Sequence, residues 1–477
     1  MEKQFNRWLL SLARWVMTFV MMLSGGFLGI GSTAQADDQF DKIQFKNIYL
    51  TPGGFIEAAG FYRSANQNAD VGSTYRDIPL TSTTNNELSE FRMSSRQSRI
   101  SLLAESAFGE TKASAYYETD FLGAAPTANE TESNSWNLRL RQAWFTGDFS
   151  NGLSITVGQH WSLITTYRSG LKPRSEMVPW TIDAQYNVGF NWARQTGVRV
   201  TQKFGDSFWG ALSLENPETN SYGNGTVAGV SGLSGSGNAG SPTSLLNANT
   251  VSTDLAPDLL GKVVFEPGWG HWELKGIGRV FRDRFYNTTT KDGSNNTSYG
   301  GGFGAGVILP VHSTLNLIAE GLAGSGIGRY ASAVGPDVTL YSDGTVHPIR
   351  ATQIMGGLEW KPTTQWDIYT YYGAERYERS VDPANNKDGY GAPGNSLATC
   401  STELGSAGNG GCTGGFNKLV AQIQPGFWYR FYKGKEGTAT FGASYSYVAR
   451  ELWEDAGGNQ PTGYENIVMV SSRYYFP

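Results

Sequence analysis

Segments of about ten residues in which polar and apolar side chains alternate recur along the whole chain, as in the strands of membrane barrels. Between Trp136 and Phe145 the alternation separates two sets of side chains: Asn137, Arg139 and Arg141 on one side, and Leu138, Leu140 and Trp144 on the other. Successive side chains of a β-strand point to opposite faces, so this pattern predicts a strand with one polar and one apolar face. By itself, the segment fits either a wide barrel with a polar interior or a soluble β-sandwich with a basic outer face.

The number of such segments and the lengths of their connections favour the barrel. Sixteen strands are predicted, at residues 54–63, 91–107, 112–120, 136–148, 153–161, 194–204, 208–215, 259–266, 269–285, 299–309, 314–323, 350–360, 366–376, 419–432, 438–449 and 467–476. Short turns such as 108–110 alternate with long loops, which are predicted at 217–256, 286–298, 324–349, 377–416 and 450–463. Membrane barrels place short turns at the periplasmic end and long loops outside, and a sandwich has no reason to sort its loops in this way. The predicted fold class is all-β, a transmembrane antiparallel β-barrel of 16 strands.

The first residues have the pattern of an export signal. Lys3, Arg7 and Arg14 form a positive region before the apolar run from Trp15 to Ile30, and Ala34-Gln35-Ala36 fits an A-x-A cleavage site. An N-terminal membrane anchor is the alternative. The predicted organisation is a signal peptide at 1–36, a short periplasmic segment at 37–53 and a barrel domain at 54–477. The barrel is predicted to lie in the outer membrane of a Gram-negative-type bacterium.

Composition agrees with a large exported all-β chain. The mean hydropathy is −0.34, which is compatible with a barrel because only every second residue of a membrane strand meets lipid. Aromatic residues make up 13% of the chain and charged residues only 17%, and there are 61 glycines. The formal net charge of −5 argues against nucleic acid as a partner but does not exclude a basic surface inside a pore.

A barrel of this size encloses water unless something fills it. The charged segment from Ser162 to Tyr186, which shows neither a helical nor a strand period, is the predicted constriction loop inside the lumen. An ordinary surface loop is the alternative. In the last strand, Val468, Val470, Tyr474 and Phe476 are expected to face lipid. On the other face, Met469, Ser471, Arg473 and Tyr475 are expected to point inward.

The two cysteines, Cys400 and Cys412, are predicted to form a disulfide in a Gly-rich outer loop of an exported chain. The four histidines are scattered at positions 160, 271, 312 and 347, in no metal-ligand pattern, so the sequence predicts neither a metal site nor a cofactor.

Several strings resemble the DcaP-type outer-membrane porins. They are Arg96-Gln-Ser-Arg-Ile100, Leu138-Arg-Leu-Arg-Gln-Ala-Trp-Phe145, Val157-Gly-Gln-His-Trp-Ser162, Pro257-Asp-Leu-Leu260 followed by Trp269-Gly-His-Trp272, and Gly324-Ser-Gly-Ile-Gly-Arg-Tyr330. The resemblance lies in their order and extends from about Gly54 to the C-terminus. It implies a trimeric, sixteen-stranded channel for dicarboxylate-like anions. The stretch from Asp37 to Pro52 is too short for the periplasmic coiled coil of some members, so a trimer would rest on the barrel walls.

The predicted function is a diffusion channel for small hydrophilic solutes, with a preference for anions. The predicted pore-lining residues are Arg96, Arg99, Arg139, Arg141, Arg168, Lys172, Arg174, Arg199 and Arg279, and each of them could instead be paired with an acidic residue across the wall. Arg96 and Arg99 share a face only if a bulge lies between them. The alternatives are a surface adhesin or receptor, suggested by the long loops, and an outer-membrane hydrolase, for which no catalytic signature is visible. No catalytic residue and no enzymatic activity are predicted.

Overall fold

The computed structural model describes residues 42–123, 137–221, 230–231, 252–287, 289–403 and 416–477. Within them, sixteen strands follow one another around a barrel. Their bounds are β1 (Ile48–Arg63), β2 (Glu90–Ser94 and Arg99–Phe108), β3 (Thr111–Gly123), β4 (Asn137–Asp148), β5 (Leu153–Trp161), β6 (Arg194–Phe204), β7 (Phe208–Glu215), β8 (Asp258–Phe265), β9 (His271–Asn287), β10 (Asp292–His312), β11 (Leu315–Ser325), β12 (Arg350–Trp360), β13 (Trp366–Tyr377), β14 (Asn417–Gly434), β15 (Gly437–Leu452) and β16 (Thr462–Tyr475). The predicted signal peptide lies outside the described residues.

The barrel is closed by pairing of its first and last strands. Residues Phe55 to Arg63 of β1 pair antiparallel with Tyr475 to Ile467 of β16, and every neighbouring pair of barrel strands is antiparallel as well. The predicted fold class, an all-β antiparallel barrel of sixteen strands, is confirmed. β1 begins at Ile48, so part of the segment predicted at 37–53 already belongs to the wall.

Short elements accompany the barrel. Ile43–Phe45 pairs with the start of β1, Val230–Ser231 pairs with β9, Val338–Leu340 pairs with Val346–Pro348, and Ser380–Val381 pairs with Gly389–Tyr390. Within the described ranges, two single 3-10 turns cover Tyr75–Asp77 and Gly328–Tyr330. No helix among the described residues is long and apolar enough to cross a membrane.

The two ends of the barrel differ in the length of their connections, as predicted, but one of the predicted long loops is absent. All connections at the end that carries β1's start and β16's finish have two to five residues, as between Phe108 and Thr111. The prediction of a loop at 286–298 is wrong. β9 extends to Asn287, β10 begins at Asp292, and the two strands form one long hairpin. Its polar residues Asn295 and Asn296 pair in this extension, so their composition alone did not mark a loop.

The outer surface of the wall is apolar. The exposed fractions lie between 59% and 84% for a set of large outward side chains: Ile56, Phe91, Met93, Leu212, Leu274 and Phe303. A closed barrel leaves no backbone hydrogen-bonding group unpaired at an edge, which is the condition for a strand structure to span a bilayer. The apolar wall therefore suits contact with lipid.

Two irregularities change which side chains point inward. Residues 95–98 form a turn that interrupts β2, and this break allows Arg96 and Arg99 to lie on the same side of the wall. In β4, the pairing with β3 shifts between Gln142 and Leu140. The prediction that Trp144 faces outward with Leu138 is therefore wrong: Trp144 is buried and donates to Gln142, because the bulge reverses the inward parity after Arg141.

The alternation predicted for the last strand is confirmed. Met469 and Ser471 of β16 are buried, Arg473 reaches Glu57 inside the barrel, and Tyr474 is exposed on the outer face. These residues lie in a regular part of the strand, where the period of two holds without interruption.

Three segments fold inward and fill much of the lumen. They are residues 64–89, 162–193 and 326–349, and their buried apolar side chains, such as Ile78, Val188 and Ile327, pack against inward residues of the wall. These packed segments narrow the interior of the barrel.

Cys400 is buried beside Leu80, Leu397 and Phe416, whereas Cys412 lies outside the described residues. The disulfide between them stays a prediction. Mass spectrometry of the non-reduced protein is expected to find one intramolecular bridge. Reduction should loosen this outer loop and leave the barrel assembled, since the bridge closes a small ring worth roughly 3 kcal/mol in the chain-entropy model. Two free thiols in the purified protein would contradict the prediction.

Candidate functional site

The segment from Ser162 to Ala193, here called the constriction loop, lies inside the barrel. It has almost no ladder partner, so its backbone N–H groups require other acceptors. Inward carboxylates of the wall supply them: Glu215 accepts from Leu163 N at 2.8 Å, Glu273 from Tyr167 N at 3.1 Å, Glu375 from Gly189 N at 2.9 Å, and Glu320 from Asn191 N at 2.8 Å. Hydrogen bonds from the loop backbone to these carboxylates therefore attach the loop to the wall.

Glycine allows the loop backbone to approach the wall closely. A Cβ at Gly373 of β13 would lie 1.7 Å from the carbonyl oxygen of Val188, and Gly189 has φ +82°. No side chain fits between the two backbones at this position.

The loop also reaches other parts of the wall. The carbonyl of Trp180 accepts from Trp428 Nε1 at 2.7 Å, and the carbonyl of Ile182 accepts from Gln97 Nε2 at 2.7 Å. Since Gln97 lies beside β2 and Trp428 in β14, the loop that leaves β5 narrows the lumen from more than one direction.

A cavity of about 340 Å³ lies between the constriction loop and the wall formed by β1 to β5 and β16. The basic side chains that line it are Arg99, Arg141, Arg174 and Arg473, and the acidic ones are Glu118, Glu176 and Asp183. Its aromatic lining comprises Phe55, Tyr116, Trp161, Tyr186 and Tyr475. We call this space the constriction cavity.

Arg141 is the most tightly held cation of the constriction cavity. Its Nε lies 2.6 Å from Glu118 Oε1 and its Nη1 lies 2.8 Å from Asp120 Oδ2. Asp120 also binds Arg139 at 2.8 Å. Arg139 thus makes a bidentate pair with Asp120, and Arg141 bridges two carboxylates, so both guanidinium groups are fixed in orientation. The acidic side chains therefore position the arginines as well as reduce the net charge.

The other arginines of the cavity rest on aromatic rings. Arg99 and Arg473 lie 5.2 and 4.8 Å from the ring centroid of Phe55, and Arg174, an exposed loop residue, lies 5.0 Å from that of Tyr116. Stacking uses the face of a guanidinium group and leaves its N–H edge for acceptors, which are Glu118 for Arg99, at 3.5 Å, and Glu57 for Arg473, at 3.1 Å.

A second cavity, of about 940 Å³, lies at the end with the short turns. Its charged lining consists of Lys361, Asp367, Arg430, Lys433 and Arg473. Both cavities share Pro179, Thr181, Arg473 and Tyr475, so they meet at the constriction loop. With four cations against one carboxylate, this second cavity is more basic than the constriction cavity.

The structure places the predicted pore-lining residues in three different settings. Arg99, Arg141 and Arg174 line the constriction cavity, and Arg139 is joined to them through Asp120. Arg168 of the constriction loop pairs with Glu359 of β12 at 2.7 Å, and Lys172, largely exposed, pairs with Asp148 at 2.9 Å.

The remaining three are packed side chains. Arg96 pairs with Asp70 at 2.6 Å, Arg279 pairs with Asp258 at 3.1 Å, and Arg199 donates to the hydroxyl of Tyr167. The side chains of all three arginines are buried.

Five cations near the passage were not among the predicted residues, and three of them, Lys361, Arg430 and Lys433, line the second cavity. Arg473 joins both cavities, and its inward direction followed from the period of β16. Arg194, the first residue of β6, stacks on Trp161 and Trp192, each at 5.0 Å. Nothing in the local sequence distinguished Arg194 from an outward strand residue. Among the described residues, no group of three or more His, Cys, Asp or Glu could hold a metal ion.

No protein-family model and no curated protein matches the chain. Solved structures do: the outer membrane channel DcaP of Acinetobacter baumannii is 17% identical, with coverage of 91% of this chain and 99% of that chain and a TM-score of 0.63. OprB of Pseudomonas putida is 11% identical over 89% and 94% of the two chains, with a TM-score of 0.49. OmpT of Vibrio cholerae is 10% identical over 91% and 100%, with a TM-score of 0.46. The likeness to the DcaP channel confirms the resemblance read from the sequence at the level of the fold.

Proposed function

We propose that the protein is a passive diffusion channel of a Gram-negative-type outer membrane and that it prefers small anionic solutes. The apolar outer wall and the closed sixteen-stranded barrel support the membrane location. The two adjoining cavities along the constriction loop support a passage for solutes.

The observation that carries the anion preference is the charge of this passage. Its lining contains seven basic side chains against four acidic ones: Arg99, Arg141, Arg174, Lys361, Arg430, Lys433 and Arg473 against Glu118, Glu176, Asp183 and Asp367. A carboxylate that enters a narrow passage loses water, and guanidinium N–H groups replace the lost hydrogen bonds. Several separate cations hold the solute less firmly than one closed site would, so it can also leave. Dicarboxylates, which the resemblance to DcaP-type porins implies, fit this arrangement.

Reversal potential in a salt gradient across a planar bilayer tests the proposal. A stable open current with a reversal potential displaced toward that of chloride is expected, and succinate should reduce the chloride current by competition. Cation selectivity would refute the anion preference. A barrel that carries no current would instead favour an adhesin or receptor, for which long loops are the supporting feature.

Trimerisation is a further expectation, based on the resemblance and on strands with small and aromatic residues, such as Phe55 to Phe61 and Phe441 to Tyr447. Unheated protein in a mild-detergent gel should migrate as an oligomer that becomes monomeric on heating. A species that is monomeric before heating, at every protein concentration, would show that the walls do not associate.

A further inference from the structure

Tyr186 occupies an unusual position at the end of the constriction cavity. Its backbone has φ +68°, a left-handed conformation that costs free energy for any residue with a side chain. Its ring is nearly buried and packs against Trp161, Phe190 and Trp192, with centroid distances of 5.9, 5.4 and 5.1 Å. The surrounding rings therefore hold the side chain in one orientation.

That orientation places the hydroxyl oxygen between two guanidinium groups. Arg141 Nη2 donates to it at 3.2 Å and Arg194 Nη1 donates at 3.4 Å. Arg194 is itself held between the rings of Trp161 and Trp192. Two fixed guanidinium donors that converge on one oxygen form the arrangement that binds a carboxylate. The phenol oxygen thus occupies a position suited to an anion.

We propose that Tyr186 sets the strength of anion selectivity, because its oxygen competes with permeating carboxylates for Arg141 and Arg194 and becomes a fixed anion when its hydroxyl ionises. The inference rests on the proposed anion channel and adds a specificity-determining residue and a pH response to it. Below the ionisation range the hydroxyl is a weak, neutral competitor. Above it, one negative charge lies in the lining of the constriction cavity and opposes anions.

The charged groups around Tyr186 favour ionisation. Burial opposes it, but Arg141, Arg194 and Arg99 outweigh burial and lower the pKa of the Tyr186 hydroxyl to about 8. The carboxylates of Glu118 and Asp120 act in the opposite sense, but both are engaged by Arg141.

Two further groups of the inward-folded segments face the same region. Asp183, whose carbonyl accepts from Tyr186 N, has its pKa raised by burial. Tyr75 donates to the Tyr186 carbonyl, and burial raises its pKa well above the usual value. Tyr75 therefore stays neutral in the range in which Tyr186 ionises.

Glu176 is the second cavity-lining group of the loop that titrates near neutrality. Burial raises the pKa of its carboxyl to about 7, and its Oε1 has no hydrogen-bond partner among the described residues. Its ionisation would also lower anion selectivity as the pH rises. The response of Tyr186 is therefore measured in a Glu176→Gln background.

Reversal potentials between pH 6 and 9 test the proposal in three proteins. Glu176→Gln alone should lose anion preference with a midpoint near pH 8, by roughly three-fold in permeability ratio for one screened charge in the constriction. Glu176→Gln with Tyr186→Phe should show no such transition and should be at least as anion-selective at pH 6, since the ring is retained and the N–H groups that Arg141 and Arg194 donate to the hydroxyl are freed. Glu176→Gln with Tyr116→Phe is the matched control, because Tyr116 lines the same cavity but donates to Glu118 at 3.0 Å. This control should keep the transition.

The outcomes separate the inference from the function on which it rests. If the Tyr186→Phe protein keeps the transition, or if Tyr116→Phe removes it, the role of Tyr186 is refuted while the anion channel stands. If wild type is cation-selective already at pH 6, the proposed function itself fails.

Discussion

Replacing Arg139, Arg141 and Arg174 together by glutamine is expected to change the channel from anion-preferring to cation-preferring. The substitutions leave Arg99 and Arg473 as the basic lining of the constriction cavity. They also remove both arginine partners of Asp120 and leave Arg99, at 3.5 Å, as the cation paired with Glu118. One close charge pair is worth about 4 kcal/mol at an effective dielectric of 20 before screening by salt, so a change of at least about ten-fold in the anion-to-cation permeability ratio is reasonable. Reversal potential measures it, and succinate flux should fall in parallel.

Controls must separate permeation from assembly, because breaking a buried ion pair such as that of Arg141 costs about 3–5 kcal/mol. Heat-modifiable gel migration reports whether the barrel has formed. Arg174→Gln alone changes an exposed residue of the loop and should shift selectivity in the same direction, though less, without affecting assembly. Lys172→Gln is the matched control, since Lys172 belongs to the same loop but pairs with Asp148 and lines neither cavity. An unchanged reversal potential in the assembled triple variant would show that these arginines do not govern permeation.

Substituting leucine for Gly373 is expected to raise single-channel conductance at least about two-fold and to weaken competition by succinate. A side chain at this wall position overlaps the carbonyl oxygen of Val188 and the amide of Asn187, at 1.7 and 2.8 Å from the Cβ. The wall is held by a continuous hydrogen-bond ladder on both sides, whereas the loop is held by single contacts, so the loop should move. Displacement also breaks the bond between Val188 N and Gln422, and the passage widens.

Gly356→Leu provides the comparison for this variant. Gly356 lies on the adjacent strand β12, and the nearest atom to its Cβ would be the carbonyl oxygen of Ile318 at an ordinary 3.7 Å. This protein should conduct like wild type. Equal conductance of the Gly373→Leu and wild-type channels, with both assembled, would mean that the constriction loop does not limit the current.

The resemblance and the alternation together predicted the wall well, because strand periodicity and turn length are local properties of the chain. All sixteen strands are present, and the faces of β16 are as predicted. The errors occurred where the local pattern is interrupted without a sequence signal. The bulge in β4 turns Trp144 inward, and the polar stretch after Tyr286 continues as a hairpin.

The sequence by itself thus determined a closed sixteen-stranded barrel, the apolar outer surface and the pool of basic residues that could line a passage. Which of them meet was decided only by the tertiary structure. Phe55 brings Arg99 and Arg473 together from strands at opposite ends of the chain, and the buried Arg199 and Arg279 lie outside the cavity lining. The physical reason is that single contacts with wall residues distant in sequence, such as Glu375 and Gln97, orient the constriction loop. Such contacts produce no periodic pattern in the sequence.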